Sequence, residues 1–188
     1  MIKRNQFKYK DMKKACSFYL SDNHFDMTVL SYLKDKIQKG SKVMLFVKEN
    51  TRDRLYNTIT NMGWNISNET WQRNVVIYPL ESVKKISEAR YLAQNIKSMI
   101  DIMSLNCSEE GLILCIQRVN DIEERYISKL EGLIANVSVP VNLINCYEFS
   151  SEKEIVLKAL ANHSFILNTS GLSKIEKVYP GINIKVLA

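Results

Sequence analysis

The chain has 188 residues, 46% hydrophobic and 24% charged, which are globular proportions at a length that suits one domain. No apolar run approaches the eighteen or so residues of a membrane span, and the opening MIKRNQFKYKDMKK has no apolar stretch behind its charges, so a cytoplasmic protein is expected. The net charge is +6, but Lys3, Arg4, Lys8, Lys10, Lys13 and Lys14 against Asp11 put +5 of it in residues 1–14, which argues for a basic leader ahead of a nearly neutral body at 15–188 and against a nucleic-acid-binding surface on that body.

After the leader, residues 15–20 read as a first apolar strand. A helix over 25–38 follows, with Met27, Leu30, Leu33 and Ile37 on one face and Gly40 just past its end. Residues 42–47 form the second strand. The next helix, over 51–62, takes Thr51 or Asn50 as its cap, turns Leu55 and Ile59 inward and stops at Gly63. Trp64 and Trp71 flank the polar loop NISNET and are expected to be partly buried against the third strand at 75–80. The segment 87–104 places Tyr91, Ile96, Met99, Ile100 and Met103 at helical spacing, with both methionines as core packing. Residues 111–117, GLILCIQ, are the most apolar run and so a central strand.

Asp121 then caps a helix running to about Asn136, with Leu130, Leu133 and Ile134 facing in, and Val139-Pro140 breaks the chain. The stretch from 141 to 168, VNLINCYEFSSEKEIVLKALANHSFILN, is the most informative. It reads as a buried strand ending at Cys146-Tyr147, a helix capped by Ser150 and Ser151 before Glu154 and closing at His163, and a second apolar strand. A polar link at 169–181 leads to a last short strand at 182–187. Seven apolar strands separated by helices give an α/β fold, a three-layer, doubly wound and mainly parallel sheet. Cysteines 16, 107, 115 and 146 have neither zinc nor redox spacing and read as reduced, mostly buried thiols.

Sheets of this kind bind ligands where strands end and helices begin. A phosphate-binding loop there needs glycines, because bare backbone N–H groups must wrap the anion. The six glycines, at 40, 63, 111, 132, 171 and 181, form neither GxxxxGK[ST] nor GxGxxG. The turn after the first strand, Leu20-Ser21-Asp22-Asn23-His24, has an acidic residue where a phosphate would lie. ATP hydrolysis by a phosphate-binding loop is therefore not expected, and neither histidine has the context of a catalytic triad. His163 fits a helix cap at the end of the sheet away from the crevice. His24 lies at the ligand edge, either as a binding group or as a surface histidine. Arg118, directly after the most apolar strand, reaches that edge to pair with a ligand anion or with Glu123, Glu124 or Glu148. Tyr19 and Tyr147 end their strands there, covering the sheet edge or lining a pocket. The candidate ligand-binding rim is thus Tyr19, Ser21, His24, Arg118, Tyr147 and Glu148, with no catalytic residue, metal or cofactor expected.

Ala15-Cys16-Ser17-Phe18-Tyr19, the Gly40-Ser41-Lys42-Val43 entry to a strand, Arg118 after a strand, and Cys146-Tyr147 before a helix ending Asn162-His163 occur in an order that resembles the MEDS domain. That family takes its name from methanogens, methylotrophs and the dichloromethane regulator, and the likeness runs over about residues 14–172. Lys14 stands where the family's first motif usually opens with histidine. The resemblance implies a RecA-like fold that has lost its nucleotide loop and serves as a sensor, often joined to a DNA-binding or histidine-kinase module. With no such module in these residues, the chain is expected to act on a separate partner, a histidine kinase or transcription regulator, or on a small-molecule ligand. A homodimer is also open. The expected function is a non-catalytic sensory or regulatory domain. Two alternatives stand beside it: a degenerate RecA-like nucleotide-binding protein using the loop at 21–24, and a nucleic-acid-binding module working through the leader.

Overall fold

Six apolar runs become parallel strands because each is flanked by a helix long enough to carry the chain back across the sheet. In the computed structural model, which describes residues 12–64, 67–86, 88–119, 124–135, 137–149 and 153–180, these are β1 (Met12–Tyr19), β2 (Lys42–Val47), β3 (Val75–Pro79), β4 (Leu112–Arg118), β5 (Val141–Glu148) and β6 (Phe165–Asn168). A short antiparallel strand, β7 (Gly171–Lys174), completes the order β3-β2-β4-β5-β1-β6-β7. Every residue of β2 and β4 is buried, as expected of strands covered on both faces.

One face is covered by α1 (Asp22–Gln38), α2 (Glu49–Asn61) and α3 (Asn68–Asn74), whose Leu30, Leu33, Leu55 and Trp71 pack on Val43, Leu45, Ile113 and Ile144. The other is covered by α4 (Glu81–Lys85), α5 (Arg90–Leu105) and α6 (Glu124–Ile134), whose Val83, Ile96, Ile100 and Leu130 pack on Met44, Leu114 and Leu143. On that second face α7 (Lys153–Asn162) and α8 (Ile175–Val178) add Ala159 and Ile175 against Cys16 and Ile166. Each such aliphatic side chain contributes about 1.5–3 kcal/mol when fully buried. The three-layer, doubly wound, mainly parallel sheet expected from the sequence is therefore the fold observed. Strands β1 and β2 lead into helices on the α1 face, whereas β3, β4 and β5 lead into helices on the α5 face. The exits reverse between β3 and β2, between β2 and β4, and again between β5 and β1, and crevices open at such reversals beyond the C-terminal strand ends.

Several boundaries differ from expectation. β1 starts at Met12, so Met12, Lys13 and Lys14, assigned to the leader, pair with Val141, Asn142 and Leu143, and Lys14 Nζ meets Glu131 Oε2 at 2.5 Å. Residues 1–11 lie outside the described chain, as do Asp121, Ser150, Ser151 and the strand expected at 182–187. α1 begins at Asp22, and Met27 is exposed because the buried stripe runs through Phe25, Val29, Leu30, Leu33 and Ile37. Tyr91 is also exposed, since α5 starts only at Arg90 and its first turn precedes the packed stripe from Ile96 to Met103. Thr51 is not a cap: α2 begins at Glu49, and the Thr51 hydroxyl is buried against Gln117.

The polar loop after Trp64 contains α3, capped by Ser67 Oγ accepting from Thr70 N–H, and it buries Trp71. The buried Lys42 ties it to β2 through Nζ to Asn74 Oδ1 at 2.8 Å. The link expected at 169–181 contains β7 and α8. All four cysteines are free thiols, with Cys16, Cys115 and Cys146 buried.

Gly111, at the entry to β4, has φ 82°, and a Cβ there would lie 2.1 Å from the Pro140 carbonyl oxygen. Gly63 has φ 59° with open space around it. Gly111→Ala is expected to cost about 3 kcal/mol or more in urea denaturation, and Gly63→Ala only about 1 kcal/mol. Equal costs at the two positions would show that the Pro140 contact does not constrain the β4 entry.

Candidate functional site

Strands β4, β5 and β1 are neighbours with level C-terminal ends, Arg118 beside Tyr147 and Tyr19 beside Glu148. Alternation along a strand then decides where each side chain goes. Tyr19, Gln117 and Glu148 fall on the α1 side, and Arg118, Asn145 and Tyr147 on the α5 side. The six residues expected to share one hollow therefore separate into two assemblies, one on each side of the sheet.

On the α1 side the connection from β1 to α1 is two residues, Leu20-Ser21. Ser21 Oγ accepts from His24 N–H at 3.2 Å, and His24 Nδ1 accepts from Leu20 N–H at 3.1 Å. Both side chains thus cap α1. Tyr19 is 1% exposed, its ring edge-on to Phe25 at 5.3 Å and its hydroxyl donating to Arg118 O at 3.4 Å. Burial raises its phenol pKa, so it is a core donor and not a rim surface.

Arg54, reaching over from α2, holds the first turns of α1. Its Nε meets Asp26 Oδ2 at 2.5 Å, Nη1 meets Asp22 Oδ2 at 2.9 Å, and Nη2 meets Asp26 Oδ1 at 3.1 Å and Thr51 Oγ1 at 3.2 Å. Thr51 in turn donates to Gln117 Oε1 at 3.1 Å, and that oxygen also accepts from Lys48 N–H at 3.0 Å. Lys48 Nζ lies 3.5 Å from Glu148 and 4.0 Å from Asp22. Gln117 is fully buried, and its Nε2 has no hydrogen-bond partner among the described residues. Where a nucleotide phosphate would meet the N-terminus of α1, the structure places a serine cap and two carboxylates, which repel an anion.

On the α5 side Arg118 is buried, with Nη1 3.5 Å from Asn145 Oδ1. Asn145 Nδ2 lies 3.0 Å from His163 Nε2, and His163 Nδ1 lies 2.6 Å from Ala159 O. A carbonyl only accepts, so Nδ1 carries the proton and Nε2 accepts from Asn145. The Tyr147 ring covers this chain, 5.1 Å from the Arg118 guanidinium and edge-on to His163 at 6.0 Å. His163 does cap α7, as expected. It does not lie apart from the rim residues, however, because α7 lays its C-terminal end across β5 beside Tyr147. Among the described residues the Arg118 side chain meets Asn145, and the partner of Glu148 is Lys48.

Besides the charged Asp22, Lys48 and Glu148, the rim leaves two large apolar side chains open to solvent. Leu20 is 71% exposed and Phe149 50%, each one residue beyond its strand, and Phe149 N–H donates to Tyr19 O at 2.8 Å, which sets them side by side. Sequence reasoning left out this pair, along with Asp26, Lys48, Arg54, Asn145 and Gln117. The apolar pair carried a signal, since Leu20 and Phe149 each follow the last buried positions of a strand. The Arg54 clamp carried a weaker one, two carboxylates four residues apart on one helix. Among the described residues no group of three His, Cys, Asp or Glu side chains could hold a metal, and no helix is long and apolar enough to cross a membrane.

No family model matches the chain, and no curated protein does. Among solved structures it is similar to the crystal structure of the RadB recombinase, at 13% identity and a TM-score of 0.44 over 81% of this chain and 72% of that one. No residue role passes from that protein to this chain.

Burial holds the Asp26 carboxyl above its ordinary pKa of 3.8, with Arg54 pulling it back down. Removing Arg54 raises it further, so the folded form of the variant takes up a proton at a pH where the unfolded chain does not. Arg54→Ala is expected to lose about 2–4 kcal/mol at neutral pH. That loss should shrink as pH falls through the raised folded value toward 3.8. Denaturation of both proteins between neutral pH and pH 4 checks this, and a loss independent of pH would show that the Asp26 charge is not what Arg54 balances.

Proposed function

We propose that the chain is a non-catalytic regulatory domain that docks a signalling protein on the C-terminal rim of its sheet, with Leu20 and Phe149 as the apolar centre and Asp22, Lys48 and Glu148 as the charged border. The adjacent exposure of Leu20 and Phe149 carries this reading. Large apolar side chains paired at a rim of charges are the composition of a protein contact. A small polar ligand has less to meet there, because Tyr19, Ser21 and His24 are hydrogen-bonded within the fold, and Arg118 and Tyr147 are buried over Asn145. The non-catalytic part rests on the two histidines, each of which has ring nitrogen committed to a structural hydrogen bond. The resemblance to MEDS sensory domains points the same way.

A second reading, a degenerate RecA-like nucleotide-binding protein, is favoured by one feature. α1 starts beside the reversal between β5 and β1, where α/β sheets hold ligands, and its two carboxylates could approach a magnesium ion carried by the nucleotide. It requires Arg54 to release Asp22. The reading through a basic leader concerns residues 1–14, of which 1–11 lie outside the described chain and 12–14 belong to β1.

The test is the double variant Leu20→Ser with Phe149→Ser, compared with the parent chain as bait in extracts of the native cell. Both positions are exposed, so the unfolding midpoint should stay within about 2 °C. A partner captured specifically by the parent chain should bind at least about tenfold more weakly to the variant. Equal capture by a variant of unchanged stability removes the rim from the interface.

A further inference from the structure

A second concavity lies on the α1 face, away from the strand-end rim. The antiparallel β7 folds back on β6 through Thr169-Ser170, with Asn168 Oδ1 accepting from Ser170 N–H at 2.9 Å and Gly171 at φ 101° completing the turn. No helix of the described chain covers this hairpin on the α1 face, so a groove opens between it and the C-terminal half of α1. Its volume is about 410 Å³, within the range of small-molecule sites.

One wall is a stripe of α1, with Ser31, Tyr32, Asp35, Lys36 and Lys39. The floor includes Lys13 and Asn142, register partners on β1 and β5. Three ammonium groups thus face one carboxylate among the lining residues. Lys36 is paired with Glu110, while Lys13 and Lys39 form no ion pair among the described residues. Glu110 is held below the ordinary carboxylate range by Lys36 first, and by Lys39 and Lys13 with it, so one positive field spans this end of the groove.

The Tyr32 hydroxyl is shielded from solvent and has no hydrogen-bond partner among the described residues. A buried hydroxyl left unpaired costs about 1–3 kcal/mol, a cost that packing alone gives no reason to retain. Burial, then the nearby Glu110 and Cys115, push its pKa up to about 12, so it stays a neutral donor. We infer that this groove is a binding site for a small, multiply charged oxyanion, a carboxylate or phosphate compound, held by Lys13 and Lys39 and met by the Tyr32 hydroxyl once the Tyr32 side chain turns it toward the groove.

Calorimetry on the full chain with citrate in one arm and inorganic phosphate in the other tests the assignment and distinguishes the two chemistries. At least one anion should bind at about 10 mM or below, more weakly as sodium chloride is raised. Lys39→Gln and Tyr32→Phe should each weaken binding about tenfold. Tyr32→Phe should leave the unfolding midpoint unchanged or higher, because it removes a group with no partner, whereas loss of a structural hydrogen bond would lower it. Leu20→Ser with Phe149→Ser should leave anion binding intact, so this site and the rim can fail independently. Absence of binding by both anions, or binding unaltered in both Lys39→Gln and Tyr32→Phe, overturns the proposal.

Discussion

A single guanidinium organises the strand-end rim. Arg54 joins two carboxylates of α1 to a hydroxyl of α2, and through Thr51 and Gln117 the same set of bonds reaches β4 and the Lys48 backbone. Asp26 is 1% exposed on its side chain, so its charge depends on this partner. The clamp also fixes what the rim can do. It holds negative charge over the first turns of α1, the position that would otherwise attract a phosphate.

Strand alternation sets the second constraint. Because β1, β4 and β5 end level, one residue of offset sends a side chain to opposite layers of the molecule. Tyr19 and Arg118 come as close as a hydroxyl to a backbone carbonyl, yet their polar ends belong to different networks. On the α5 side Arg118, Asn145 and His163 link into one chain beneath Tyr147. Buried polar groups tied to one another in this way help to hold a core together. The apolar surface left at the rim is then Leu20 and Phe149, bordered by Asp22, Lys48 and Glu148, which favours a protein over a small polar molecule.

The parallel sheet was the most legible part of the sequence. Strand β2 matches its expected limits of 42–47 because the apolar run VMLFV, opened by Lys42, sits between Gly40, at φ 85°, and the start of a helix. Polar elements were harder to read. The α3 segment NETWQRN and the β7 segment GLSK have no apolar period, and each forms by packing: Trp71 into the core, and β7 along β6. The six rim residues were found at strand or helix ends, as expected. Their division into two networks was not, because the offset of one residue matters only once the neighbouring strands are known. The Arg118–Asn145–His163 chain had no local sign, since its members are 27 and 18 residues apart and meet only when α7 crosses β5.

The clamp is most directly tested by titrating the full chain with ATP and magnesium in a calorimeter, alongside Arg54→Ala. If Arg54 holds Asp22 and Asp26 over the start of α1, neither protein should bind nucleotide at the rim at about 1 mM, since freeing the carboxylates leaves them repelling phosphate, and any heat from the α1-face groove should fall in Lys39→Gln. Saturable heat that Lys39→Gln leaves unchanged would contradict a closed rim and establish it as a site that takes nucleotide.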